Sequence, residues 1–151
     1  MASDDVLNQL LDHLWHRYCK RVEYARRYRD LTAAKGGRVV NDHIAFRTVN
    51  TPMNTLPAGI EGISRVFTPL GYKPVASYEF PDKHLVAKHF EHPAEGMPRI
   101  FISQLQVDEL PEECAILIRA AVNPAADLLD ISAQLTSSDD RVGWLADSLS
   151  N

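Results

Sequence analysis

The stretch from residue 41 to residue 50 constrains the fold more than any other part of the chain. It is rich in β-branched and aromatic residues, and a Thr-Pro pair ends it, as is typical of a β-strand. Successive side chains of a strand point to opposite faces, so we expect His43, Ala45 and Arg47 to share one face. The other face carries the side chains expected beneath a helix: Ile44, Phe46 and Thr48.

Hydrophobic spacing predicts the elements around this strand. An amphipathic helix is predicted from about residue 4 to residue 28, within an N-terminal helical segment that spans 4–35. A short helix is predicted between residues 60 and 70, and three further strands are predicted over 72–80, 84–91 and 99–107. The order from 38 to 107 is therefore strand, helix, strand, strand, strand, and residues 108–151 form a helical extension. We interpret the chain as one α+β domain over 1–151.

Composition excludes several classes of protein. No run of about 18 apolar residues is present, so no membrane span is expected. The acidic start of the chain does not resemble a secretory signal, and the two cysteines, Cys19 and Cys114, form no CxxC pattern. We therefore predict a reduced, cytoplasmic protein with two core-lining thiols. The net charge of −4 argues against general nucleic-acid binding, and we interpret the basic half of the first helix as a solvated face.

His43 and Arg47 are the first candidates for a functional site. A neutral imidazole is a common metal ligand, and a guanidinium can bind a carboxylate through two hydrogen bonds. A site of this kind needs further ligands, commonly a second histidine and a carboxylate. From these residues alone, a metal-plus-carboxylate site and an ordinary solvated sheet face both remain open.

Three further residues are candidates on the later strands. Alternation in a regular strand places His84 on the same face as Lys88, and His89 on the same face as Glu91. The two histidines therefore point in opposite directions, either beside a substrate or into solvent. Gln104 on the fourth strand either hydrogen-bonds a substrate or points to water. No residue is assigned as a catalytic nucleophile or base.

Several stretches of the chain, taken in order, resemble the 2-oxoadipate dioxygenase/decarboxylase family, also called hydroxyglutarate synthase. They are Asn41–Thr48, Leu70–Pro74, Phe80–Pro93 and Pro98–Ser103. The resemblance runs through most of residues 4–107. It implies a vicinal-oxygen-chelate, or glyoxalase-like, fold built from βαβββ modules, which agrees with the order of elements predicted above.

The resemblance also implies an activity and assigns two residues. Members of the family use Fe(II) and O2 to convert 2-oxoadipate to 2-hydroxyglutarate and CO2 in lysine catabolism. His43 matches the first iron ligand of the family, and Arg47 matches the arginine that binds a substrate carboxylate. The partners expected are a small 2-oxo acid and O2, with no nucleic acid and no membrane.

In the family, the second histidine and a glutamate ligand come from a second module further along the chain. The present sequence has no histidine after His92, so we expect it to represent the first module, with an incomplete iron site. The helical extension would then be a linker to that second module. A symmetric homodimer would bring two copies of His43 together. The alternative is a non-catalytic glyoxalase-fold module that binds a small carboxylate or a partner protein.

Overall fold

The computed structural model describes residues 2–51 and 57–122. The chain divides into two compact units, and the boundary between them lies after Asn41. The single-domain organisation stays a prediction. The helical segments predicted after Val122 lie outside the described residues.

The described part of the first unit contains two helices, α1 (Ala2–Arg21) and α2 (Glu23–Ala34). The single long helix predicted here is wrong, because Val22 adopts an extended conformation (φ −115°, ψ 100°) and interrupts the helical path. Several arginines of α2 form ion pairs on its surface, such as Arg27 with Glu23 at 2.6 Å. These exposed pairs agree with the solvated face expected for the basic residues. No helix in the described part of the chain is long and apolar enough to cross a membrane.

The described part of the second unit contains a four-stranded sheet with a helix after its first strand. The strands are β1 (His43–Val49), β2 (Lys73–Phe80), β3 (Leu85–Glu91) and β4 (Arg99–Leu105), and the helix is α3 (Gly59–Phe67). The strand order is β1-β4-β3-β2, in which β1 and β4 are parallel and the other pairs are antiparallel. This arrangement confirms the predicted βαβββ order.

The two faces of the sheet differ in burial. Helix α3 contacts β1 and β4, and the ring of Phe46 lies 5.5 Å from that of Phe67 on α3. On this covered face, Phe90, Ile100 and Ile102 are buried. The alternate residues of β1 are exposed on the opposite face, as the alternation in the sequence predicted. We call this opposite face the open face.

Three expectations about local structure are corrected. His84 does not begin β3, because it adopts a left-handed conformation (φ 51°) that closes a 3₁₀ turn formed by Pro81–Lys83. The helix expected from residue 108 begins later, as α4 (Glu112–Val122), after a 3₁₀ turn at Val107–Glu109. Cys19 is buried as expected, but Cys114 is exposed on α4 and does not line the core.

Candidate functional site

His43 opens β1 on the open face, and its ring is held by the residue before it. The Nδ1 atom of His43 lies 2.8 Å from Oδ1 of Asp42. A carboxylate can only accept a hydrogen bond, so Nδ1 carries the hydrogen and Nε2 keeps its lone pair. The same hydrogen bond lowers the pKa of Asp42 below its ordinary value. A carboxylate that orients the distal nitrogen of a histidine is the usual support of a metal-binding imidazole.

A chain of polar contacts crosses the open face beside His43. The Tyr78 hydroxyl lies 2.9 Å from Nδ1 of His89, and Nε2 of His89 lies 3.5 Å from Oε1 of Glu91. The same Glu91 oxygen accepts a hydrogen bond of 2.8 Å from Nε of Arg99. These contacts connect β2, β3 and β4, so three strands contribute to one polar surface.

This polar surface and His43 line one open cavity of about 570 Å³. The register of the parallel strands explains their proximity, since His43 on β1 lies opposite Arg99 on β4. The lining residues are Asp42, His43, Ala45, Tyr78, His89, Glu91, Arg99 and Phe101. The cavity thus joins a free imidazole nitrogen, one guanidinium, two carboxylates (Asp42 and Glu91) and aromatic rings. The guanidinium of Arg99 is the cationic group that could bind a carboxylate of a small ligand.

Arg47 lies on the same face, further along β1, and is not among the residues that line the cavity. Its register partner on β4 is Ser103. Within the part of the chain that the structure describes, Arg47 has no hydrogen-bond or ion-pair partner. Its guanidinium is therefore available to a carboxylate that extends out of the cavity.

The other candidates do not lie in this cavity. His84 occupies the turn before β3, where its Nδ1 lies 3.1 Å from Oε2 of Glu109. Gln104 lies on the opposite face, where its Oε1 accepts a hydrogen bond of 2.9 Å from the backbone N–H of Ile60 at the start of α3. Its amide also donates to Gln106 at 2.7 Å. These contacts give both residues structural partners away from the open face, whereas His89 is brought beside His43.

The sequence does not identify four of the polar lining residues as site candidates: Asp42, Tyr78, Glu91 and Arg99. Asp42 could have been found as a carboxylate next to a candidate ligand. Alternation along β4 places Arg99 on the same face as Phe101 and Ser103, but its position opposite His43 depends on the pairing of β1 with β4. That pairing joins segments more than fifty residues apart and leaves no local pattern.

A metal centre is only partly present among these residues. The available Nε2 of His43 fits one ligand position. However, within residues 2–51 and 57–122, no group of three or more His, Cys, Asp or Glu side chains is arranged to hold a metal ion. The other histidine that lines the cavity, His89, already contacts Tyr78 and faces Glu91. The described residues therefore supply one suitable ligand and not a complete ligand set.

Comparison with known proteins identifies the family. Residues 8–143 match the family described as 2-oxoadipate dioxygenase/decarboxylase. The chain is 29% identical to the chloroplastic/amyloplastic 2-oxoadipate dioxygenase/decarboxylase of Oryza sativa subsp. japonica, with 89% of this chain and 41% of the rice protein covered. The chain thus spans about two fifths of the length of that relative.

Two solved structures show the same fold. The crystal structure of hydroxyglutarate synthase from Oryza sativa, in complex with 2-oxoadipate, matches with a TM-score of 0.69 and 25% identity, over 99% of this chain and 46% of that chain. A glyoxalase superfamily protein from Ralstonia eutropha JMP134 matches with a TM-score of 0.69 and 27% identity, over 93% of this chain and 48% of that chain. The glyoxalase-like fold class is therefore confirmed, and the chain belongs to the 2-oxoadipate dioxygenase/decarboxylase family.

Proposed function

We propose that the protein is part of an Fe(II)-dependent dioxygenase that converts 2-oxoadipate and O2 to 2-hydroxyglutarate and CO2 in lysine catabolism. The observation that carries this proposal is the orientation of His43 by Asp42, at the edge of an open cavity, in a chain that matches the family over residues 8–143. The rice relative in the solved structure is bound to 2-oxoadipate, which supports a 2-oxo acid as the substrate.

The stoichiometry of the proposed reaction fixes what has to be held in place. The bond between C1 and C2 of 2-oxoadipate breaks, and C1 leaves as CO2. Both atoms of O2 end in 2-hydroxyglutarate. One joins C2 in the new carboxylate, and the other is inserted into a C–H bond at C3, so that the hydrogen stays in the product as the hydroxyl group. The two carboxylates of the substrate are the groups that a protein can bind most strongly, because a guanidinium group forms two hydrogen bonds to a carboxylate.

The described residues supply binding and orientation for such a substrate. His43 is proposed as one iron ligand, through Nε2. Arg47 is proposed to bind a substrate carboxylate, which its lack of a partner among the described residues supports. Orientation of this kind contributes to rate because it holds the reacting groups in a productive arrangement.

The other iron ligands have to come from outside the described residues, because those residues contain no three-donor group. The family resemblance implies a second histidine and a glutamate from a second module. A second copy of this chain would add another His43, and a homodimer is therefore kept as part of the proposal. The cytoplasmic location stays a prediction.

A second candidate function is a non-catalytic module that binds a small carboxylate. The incomplete set of metal donors among the described residues favours it, because carboxylate binding by arginine needs no metal. Under this alternative, His43 would be an ordinary polar residue of the cavity wall.

The test is to purify the 151-residue chain under anaerobic conditions, add Fe(II), and measure bound iron, O2 uptake and formation of 2-hydroxyglutarate from 2-oxoadipate. We expect His43→Ala to abolish iron binding and turnover. His13→Ala is the matched control, because His13 is an exposed histidine on α1. Turnover that depends on His43 supports the dioxygenase. A folded, iron-supplied chain that neither binds iron nor turns over removes catalysis from these 151 residues, and binding of 2-oxoadipate by that chain then favours the carboxylate-binding alternative.

A further inference from the structure

We propose that Arg99 is a second carboxylate-binding residue and that Arg99 and Arg47 together select 2-oxo acids with two carboxylates. This inference rests on the proposed function for the class of substrate. It assigns the carboxylate next to the 2-oxo group to Arg99, and the distal carboxylate to Arg47.

The contacts of Arg99 leave most of its guanidinium available. Its Nε donates to Oε1 of Glu91 at 2.8 Å, and its side chain is 67% exposed. Neither Nη group has a partner within the described part of the chain. Glu91 therefore holds the guanidinium through Nε, while the two Nη groups remain able to donate to a carboxylate.

His89 adds a third donor beside this fork. Its Nε2 faces Oε1 of Glu91 at 3.5 Å, which favours a hydrogen on Nε2 and an acceptor role for Nδ1. The Tyr78 hydroxyl then donates to Nδ1 at 2.9 Å. Because 3.5 Å is long for a hydrogen bond, the Nε2–H group remains able to donate to a ligand oxygen. The wall next to Arg99 thus offers donors to an anion.

The spacing of the two arginines fits a six-carbon diacid. Arg99 lies opposite His43 in the parallel register, and His43 precedes Arg47 by four residues on β1. With about 3.3 Å per residue and about 4.8 Å between strands, the two arginine Cα atoms lie about 14 Å apart.

A ligand of matching length can be estimated from covalent geometry. An extended six-carbon diacid has about 6 Å between its carboxyl carbons, given C–C bonds of about 1.5 Å. Each carboxyl carbon lies about 4 Å from the carbon of a guanidinium that it binds, for N···O distances of about 2.8 Å. The sum is about 14 Å between guanidinium carbons, which matches the Cα spacing when both arginine side chains stand perpendicular to the sheet.

The position of His43 sets the direction of the ligand. His43 and Arg99 are register partners at one end of this span, and Arg47 lies at the other end. If His43 holds a metal, the 2-oxo group and its neighbouring carboxylate belong at that end. In this orientation of the ligand, the distal carboxylate lies beside Arg47.

The test is calorimetric binding of three probes to the full 151-residue chain without metal: 2-oxoadipate, 2-oxoglutarate and the monoacid 2-oxohexanoate. The variants are Arg99→Gln and Arg47→Gln. Arg65→Gln is the matched control, because Arg65 is a half-exposed arginine of α3 that pairs with Glu61. Thermal unfolding of each variant verifies that it folds.

The two arginines should give different patterns. We expect Arg99→Gln to weaken 2-oxoadipate and 2-oxohexanoate alike, by about tenfold or more, because both probes carry the carboxylate next to the 2-oxo group. Arg47→Gln should weaken 2-oxoadipate alone and remove its preference over 2-oxohexanoate. Affinities in Arg99→Gln equal to those in Arg65→Gln overturn the proposal, and so does a chain that binds none of the probes.

Turnover separates this inference from the proposed function. Binding that depends on Arg99, in a chain that does not consume O2 with 2-oxoadipate, supports the carboxylate site and removes dioxygenase activity from these 151 residues. Turnover in Arg99→Gln with an unchanged KM for 2-oxoadipate would support the dioxygenase and would overturn the proposed carboxylate-binding role of Arg99.

Discussion

Oδ1 of Asp42 accepts a hydrogen bond of 2.8 Å from Nδ1 of His43, where β1 begins on the open face. The pair is formed by neighbours in sequence, so it requires no long-range packing. The hydrogen bond selects the tautomer of the neutral ring, because the Nδ1–H form leaves the lone pair on Nε2.

We predict that neutral His43 is held as the Nδ1–H tautomer and that Asp42→Ala releases it. The measurement is the ¹⁵N chemical shift of both ring nitrogens by NMR at alkaline pH. In the unmodified chain, Nδ1 should show a protonated shift and Nε2 an unprotonated one, and the variant should shift toward a mixture. Asp82→Ala, in the 3₁₀ turn after β2, serves as the control. A protonated Nε2 in the unmodified chain would contradict this arrangement.

Gln104 is predicted to stabilise the start of α3 and to have no part in ligand binding. Its Oε1 accepts from the backbone N–H of Ile60, one of the first amides of the helix, for which α3 offers no other side-chain cap. Gln104→Ala should lower the free energy of unfolding by about 1 kcal/mol and leave the affinity for 2-oxoadipate unchanged. Gln104→Glu keeps an acceptor oxygen and should retain most of the stability. Loss of 2-oxoadipate binding in a folded Gln104→Ala variant would return this residue to the site.

Gly59 is predicted to be intolerant of any side chain. Its φ of +67° is strained for other residues, and a Cβ atom there would overlap Oε1 of Gln104. Gly36 has a similar φ of +74° with no atom within 4 Å of the added Cβ, so it isolates the backbone effect. Gly36→Ala should cost about 1 kcal/mol, and Gly59→Ala about 2 kcal/mol more, because Gln104 has to leave the α3 amide. Equal losses in urea unfolding would show that Gln104 moves aside without cost.

Local pattern accounts for the part of the site that lies on one strand. The alternation of β1 correctly places His43 and Arg47 on the face opposite Phe46, because a period of two follows directly from strand geometry. Breaks in local structure were harder to predict. Val22 continues the hydrophobic spacing of the first helix, but its extended conformation interrupts that helix. The residue type does not indicate this break.

The remainder of the site depends on contacts between distant segments. Arg99 lies opposite His43 only because β4, the last of these strands in sequence, pairs in parallel with β1. The strands β2 and β3, which come between them in sequence, lie on the other side of β4. His84 illustrates the opposite error. The prediction from alternation assumes that His84 is part of the strand. The structure places His84 in the turn before β3 with a φ of 51°, and its side chain contacts Glu109.

The stability of the sheet unit is predicted to fall at alkaline pH because of Tyr72. The side chain is fully buried, its hydroxyl donates to the carbonyl of Pro98 at 2.9 Å, and burial raises its pKa to about 12. A tyrosine in the unfolded chain has a pKa of about 10. Below pH 10 both states keep the proton, so the stabilisation is complete. Between pH 10 and 12 only the unfolded state releases it, and the free energy of unfolding falls by about 2–3 kcal/mol in all.

Tyr72→Phe tests this pH dependence. The variant should lose about 1–2 kcal/mol at pH 8, since the Pro98 carbonyl is left without its partner, but it should lack the further decline that Tyr72 causes between pH 10 and 12. Urea unfolding at pH 8, 10 and 11 gives both quantities. Tyr28→Phe is the control, because Tyr28 is exposed on α2, and it should keep the decline of the unmodified chain. If Tyr72→Phe and Tyr28→Phe lose stability equally above pH 10, the decline originates from other groups, such as lysines, and the buried phenol does not cause it.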